Sequence, residues 1–444
     1  MLSRTLSAAA AMLVLASCCH ALGTATGNPG EIPFTSPVKD GDTALALNTH
    51  SLAPVEGELK MIAAAGFTII RTDVSWAEME STKGVYNFTA TDNYVAALAV
   101  HGITWVAIFG ASNPLYDQGV DVHTAGGIAA YGNWCAATAL RYRSQVQAGV
   151  LLLELVNEPN LGVYGDNASL YAQLVATAAI AVKSAAPAAE VIGPASANID
   201  MSWLTSIFEA GALNHLTQVT VHPYRSNSPE TAFADFVALR SLVDEYSPVA
   251  SGRRLAINSG EWGYSSKANP STGLDEVSHA KIVARQLLVT IASQVGFSVY
   301  YDWRDDDGAM GLVRLPLHAG RAPPYDAKPA YNASAVLAAA LHGFIFVERL
   351  HVFQSGQNTE DDWVLLFRQP RGSSASNHTR YEVPWAKFSG LLRLPIAGLG
   401  FAASALHTGY KRVTILTLEL KHCGVCILIR VLYIFTTIYI HTYR

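Results

Sequence analysis

Two glutamates stand out by what surrounds them. Leu153-Glu154-Leu155-Val156-Asn157-Glu158-Pro159-Asn160 is an apolar run that ends in Asn-Glu-Pro. Proline cannot continue a ladder, so a strand built from this run stops where it presents the Glu158 carboxylate. Leu255-Ala256-Ile257-Asn258-Ser259-Gly260-Glu261-Trp262-Gly263 does the same with Glu261, between glycine and tryptophan. Either glutamate alone reads as a chance tripeptide or a loop cap. A pair facing each other across a cleft has a definite chemistry: one protonated carboxyl expels a leaving oxygen, and one ionised carboxylate attacks or stabilises the carbon left behind. Mutual repulsion helps to separate their two pKa values.

Such a pair needs a scaffold that brings distant segments together. Short apolar, often β-branched runs at 44–48, 68–73, 104–109, 151–157, 190–194, 218–222, 254–261 and 298–303 predict strands buried on both faces. Helical patterns such as 94–101, 170–185, 233–246 and 279–294 lie between them. Strands alternating with helices over this length predict a (β/α)8 TIM barrel spanning 40–343. A doubly wound open sheet is the rival, but no Gly-x-Gly-x-x-Gly follows the first strand. In the barrel Glu158 ends the fourth strand and Glu261 the seventh, on the face where barrel active sites lie. After Phe344 the runs at 344–352, 363–367 and 381–385 predict a small C-terminal β-rich appendage, residues 344–412. Residues 413–444 form an apolar tail whose β-branched, aromatic character fits a strand or aggregation-prone segment better than a membrane anchor. An erroneous gene model is a further reading of that tail.

Asn157-Glu158-Pro159 with Glu261 resembles the clan A glycoside hydrolases, families 5 (cellulase-like) and 39 (β-xylosidase-type) above all. The resemblance covers the barrel. It extends to Arg71 in Ile69-Ile70-Arg71, to 67–88 as the second unit, to His222-Pro223-Tyr224 after the sixth strand and to Tyr301-Asp302-Trp303 after the eighth. It implies a retaining O-glycosidase acting on β-linked poly- or oligosaccharides, with Glu158 as acid/base and Glu261 as nucleophile, their carboxyl groups about 5–5.5 Å apart. In that setting Asn157 hydrogen-bonds the sugar 2-hydroxyl, Arg71 favours the ionised nucleophile, Tyr224 bonds Glu261, His222 lines the cleft and Trp303 offers a flat face to the sugar. Each has a plainer alternative as a buried packing residue or structural ion pair. A non-catalytic carbohydrate-binding barrel has no need of both carboxylates, and a transglycosylase uses the same pair with sugar as acceptor.

Other segments carry less. Asn113-Pro114-Leu115-Tyr116-Asp117 is a cleft-wall candidate, and Trp76 and Glu78 are either substrate contacts or helix caps. Asp305-Asp306-Asp307-Gly308 lacks the spacing of a calcium loop and reads as a solvated turn. No His-Glu-x-x-His, phosphate loop or Gly-x-Ser-x-Gly occurs, so no metal or cofactor is expected. The 444 residues are 50% hydrophobic and 15% charged with net charge −5, without the basic stripe of a nucleic-acid binder. Arg4, the apolar run 6–16 and Ala21-Leu22-Gly23 predict a signal peptide over 1–23 and a secreted protein. Sequons at Asn87, Asn167, Asn332 and Asn377 accord with export. Cys135, Cys423 and Cys426 make no disulfide framework, and Cys423-x-x-Cys426 lacks the partners of a zinc site.

Overall fold

The computed structural model describes residues 44–247, 254–267, 274–350, 363–368, 405–408, 411–414 and 426–430. The apolar runs form β1 (Ala44–Thr49), β2 (Ile69–Val74), β3 (Thr104–Phe109), β4 (Leu151–Leu155), β5 (Glu190–Ala197), β6 (Gln218–His222), β7 (Ala256–Trp262) and β8 (Phe297–Tyr300). They pair in parallel, each with the next, and β8 closes on β1, giving a closed eight-stranded barrel.

Helices follow each strand: α1 (Glu58–Ala64), α2 (Thr89–Val100), α3 (Ala125–Arg141), α4 (Ala168–Ala185), α5 (Met201–Glu209), α6 (Ala232–Tyr246), α7 (Glu276–Ala292) and α8 (Pro329–Leu341). Their starts are written locally. Thr124, Asn167, Asp200 and Asp275 each accept a bond from a backbone N–H of the first turn, and Pro329 opens α8 where no N–H is needed. By length and composition α4 is apolar enough to cross a membrane. It is an outer helix of the barrel, with Thr177 and Ala178 against Gly132 of α3.

Ala44, Ala46, Ile69, Val106, Leu152, Ile192, Phe297 and Val299, each at most 4% exposed, fill one layer of the interior. Full burial of each larger aliphatic or aromatic side chain contributes about 1.5–3 kcal/mol. Nearer the C-terminal ends of the strands the interior turns polar. Asn48 and Arg71 stand in register across β1 and β2, with Glu154 and His222 on β4 and β6. All four are buried. The apolar layer fixes where the strands cross, and the polar layer above it becomes the site.

Strand ends differ from expectation where the chain must turn a side chain inward. β4 stops at Leu155 rather than Asn157, because Val156 (φ 62°) and Glu158 (φ 48°) are left-handed. A β-branched residue there is strained, by about 1–3 kcal/mol. β8 stops at Tyr300, and the Trp303 N–H bonds Asn48 O at 3.1 Å.

The described residues divide into two compact units after His342. In the second unit Ile345–Leu350 pairs antiparallel with Val364–Arg368, which pairs with Cys426–Arg430 of the apolar tail. Leu365 and Phe367 are buried, with Phe346 and Phe367 ring centroids 5.6 Å apart. Ala405–Thr408 and Lys411–Thr414 form a separate hairpin. The expected signal peptide and the runs at 381–385 lie outside the described residues.

Candidate functional site

Arg71 is the centre of the polar layer. A side chain this deep must place all its donors, and its guanidinium does so on four elements. Nε donates to Glu154 Oε2 at 2.6 Å, and one terminal nitrogen donates to Asn48 Oδ1 at 3.1 Å and Glu261 Oε2 at 2.8 Å. The other donates to Asn157 Oδ1 at 2.7 Å and lies 3.4 Å from His222 Nε2. Two carboxylates and a planar fork form charge-assisted bonds of the stronger kind.

That contact assigns the His222 tautomer. A guanidinium only donates, so Nε2 accepts and the proton sits on Nδ1. Nδ1 then donates to Glu158 Oε1 at 2.9 Å. Burial, together with the Arg71 charge, pushes His222 down to about 4, so the ring is neutral near pH 7. Gly260 leaves room for it: a Cβ there would lie 3.3 Å from the imidazole.

Glu261 receives bonds on both oxygens, from Arg71 and from the Tyr224 hydroxyl at 2.8 Å. Burial and then the Glu261 charge hold the Tyr224 phenol well above its ordinary range, so it stays a donor. Burial raises Glu158 above the ordinary carboxyl range, against a partial opposing pull from Arg71. Glu158, His222 and Glu261 each bring one ligating atom within 4.8 Å of the others. Arg71 already supplies positive charge there by bonding Glu261 directly, so the group is better balanced as an acid–base pair than as a cation site.

Of the expected site residues, Arg71, Asn157, Glu158, His222, Tyr224 and Glu261 are joined in this one network. Trp303 is not. It is 1% exposed, and its indole N–H donates to the buried Glu58 at 2.8 Å, so it is a packed residue rather than an open platform. The half-buried aromatic beside the pair is Tyr301, whose ring centroid is 6.4 Å from that of Tyr224. Gly263 permits this approach, because a Cβ there would meet Tyr301 O at 1.8 Å.

The weaker candidates have structural work. Asn113 donates to the carbonyls of Trp76 and Glu80, Trp76 is buried, and Glu78 is exposed in a first turn capped by Ser75. In the acidic loop Asp305 pairs with Lys328, Asp306 with Arg304, and Asp307 accepts from Tyr301. Asn48 and Glu154 join the network without a motif of their own. The readable signal for Glu154 was a lone charge inside a leucine run, which a buried cation must match.

No family model matches the sequence, and no curated protein matches it. Among solved structures, the chain is similar to a family 39 glycoside hydrolase from the gut symbiont Bacteroides cellulosilyticus WH2, at 19% identity and TM-score 0.62, over 88% of this chain and 79% of that one. It is similar to a family 39 β-xylosidase from Caulobacter crescentus at 19% identity and TM-score 0.54, over 73% and 77%. A family 5 enzyme from Streptomyces cattleya in complex with GlcNAc follows at 12% identity and TM-score 0.52, over 68% and 81%. At these identities what is shared is the fold, a (β/α)8 barrel.

Proposed function

We propose that the protein is a retaining glycoside hydrolase that cleaves β-glycosidic bonds by double displacement. The observation that carries this reading is the separation of the two carboxylates. Their nearest ligating oxygens lie within 4.8 Å. An inverting enzyme must fit a water between its carboxyls and holds them roughly 6.5–9.5 Å apart, whereas a retaining one holds them at about 5–5.5 Å. Similar solved structures include a β-xylosidase and an exo-β-1,4-mannosidase, which supports a carbohydrate substrate.

In this mechanism Glu158 protonates the leaving oxygen as Glu261 attacks the anomeric carbon, giving a glycosyl-enzyme. Glu158 then takes a proton from water as the water displaces Glu261. Its raised pKa suits the acid step, because it keeps the proton further up the pH scale. Arg71 and Tyr224 hold Glu261 in place with one bond on each oxygen. Asn157, fixed by Arg71, is placed to bond the sugar 2-hydroxyl.

Following the first product by NMR on an aryl β-glycoside tests the reading. A β-anomer as initial product is expected. An α-anomer as initial product rejects retention.

We propose export as well. The predicted signal segment supports it, and so do the exposed sequons at Asn87, Asn167 and Asn332. Expression in a eukaryotic secretory host should give medium protein whose mobility shifts on deglycosylation. Retention of unprocessed protein inside the cell counts against it.

A further inference from the structure

A second polar group stands beside the catalytic network and touches it through Asn48. His50, just past β1, has a side chain 34% exposed. Its Nε2 lies 3.6 Å from Asp302 Oδ2 and its Nδ1 lies 3.9 Å from Asp73 Oδ2. Both gaps exceed hydrogen-bond length. The Asp302 side chain is 1% exposed, yet neither of its oxygens has a hydrogen-bond partner. Buried carboxylates with unfilled acceptor capacity are costly unless something completes them. Asp306 faces the same group, one atom each of His50, Asp302 and Asp306 lying within 4.8 Å of the others. Asp302, then Asp73, raises His50 to about 10, and burial raises Asp302 to about 7.

Position supplies the occupant. The His50 ring lies 5.4 Å from that of Tyr301, the aromatic next to Tyr224. Asn48, which holds Arg71, also reaches His50 at 3.5 Å. Behind them lies a small recess, partly open to solvent, with room for about one water. Leu59, Ile62 and Tyr94, all buried, close its inner side. In the closed barrel β4 lies across from β8 and β1. Glu158, after β4, protonates the leaving oxygen, so the departing portion extends on that side. The far end of the retained sugar then points toward β8 and β1.

We propose that His50 and Asp302 form a terminal-sugar pocket, hydrogen-bonding hydroxyls at the non-reducing end of the retained sugar, and that the wall of Leu59, Ile62 and Tyr94 behind them ends the glycan there, making cleavage exo-acting. The inference rests on the glycosidase reading and adds direction and position to it. A carboxylate accepts from sugar hydroxyls and a histidine ring N–H donates to them, which is what this pair has left to offer.

The test follows products from a reducing-end-labelled β-linked oligosaccharide, open or O-methylated at its non-reducing end. Single sugars should leave the open end in sequence, and the cap should slow cleavage about 100-fold or more, as expected when a polar site is left unpaired. Internal cleavage of the capped chain overturns the pocket and leaves the glycosidase reading standing. No turnover of any oligosaccharide or aryl β-glycoside overturns the glycosidase reading itself. In parallel, His50→Gln and Asp302→Asn are assayed on the aryl glycoside of the released sugar and on its 3-deoxy and 4-deoxy analogues. Each variant should lose about 10- to 100-fold in kcat/KM on the parent sugar, and only a few-fold on the analogue lacking the contacted hydroxyl. An equal penalty on every sugar overturns direct contact. Should Asp302→Asn fail to fold, His50→Gln carries the comparison. Calorimetry with Mn²⁺ or Ca²⁺ covers the rival occupant: a cation bound tightly in the wild type and lost in His50→Gln overturns the sugar assignment.

Discussion

Glu158 and Glu261 are the same residue type at equivalent strand ends, and the barrel treats them oppositely. Glu261 is 13% exposed in its side chain and receives one charged and one neutral donor. Glu158 is 25% exposed, rests on a left-handed backbone and receives one bond from a neutral imidazole. The first environment fixes a carboxyl group at both oxygens, and burial in the second raises the group's hold on its proton. On the proposed mechanism, the donors the neighbouring strands bring are what set a nucleophile apart from an acid.

The largest effect should come from erasing that distinction at Glu261, the proposed nucleophile. Glu261→Gln keeps the shape and removes the attacking oxygen, so kcat should fall about 10⁴-fold or more on every substrate. Glu158→Gln should cost about 10²- to 10⁴-fold with a poor leaving group and much less for bond cleavage with a dinitrophenolate. Equal losses on both leaving groups contradict the acid role. Next comes the shared support. Arg71→Lys keeps a charge but loses the fork, and should reduce kcat about 10²-fold. Arg71→Met should also destabilise the fold by about 3–5 kcal/mol, since Glu154 stays buried without its cation; urea titration measures this.

The smallest effect is a shift rather than a loss. The alkaline limb of the kcat/KM profile should report Glu158 losing its proton, above the ordinary carboxyl range because burial raises it. The His222 Nδ1–H favours the charged form of Glu158. Replacing His222 by Phe should therefore move that limb to higher pH. A limb that moves down, or stays fixed, contradicts the assigned tautomer.

Much of this was legible in the sequence. Strand order and the neighbourhood of the β4 and β7 ends follow from apolar periodicity and a proline stop, whereas Arg71, Asn157 and Tyr224 entered through the resemblance to clan A glycoside hydrolases. The choice between Tyr301 and Trp303 was not legible. They are two residues apart, both aromatic, and only the path of the chain beyond β8 decides which is open and which lies against Glu58. His50 and Asp302 escaped for a similar reason. Their meaning depends on β8 closing beside β1, a contact between the two ends of the barrel that no local pattern announces.

Arg71 also bears on how the molecule comes to be active. Its partners run from Asn48 to Glu261, so the fork spans nearly the whole chain of the barrel. A nascent half ending at β4 carries the Arg71–Glu154 pair but neither Tyr224 nor Glu261. Contacts of such long sequence separation form late, after their loop-closure entropy has been met. Recovery of turnover during refolding should thus lag the recovery of helical signal, and catalysis itself becomes a clock for closure of the ring.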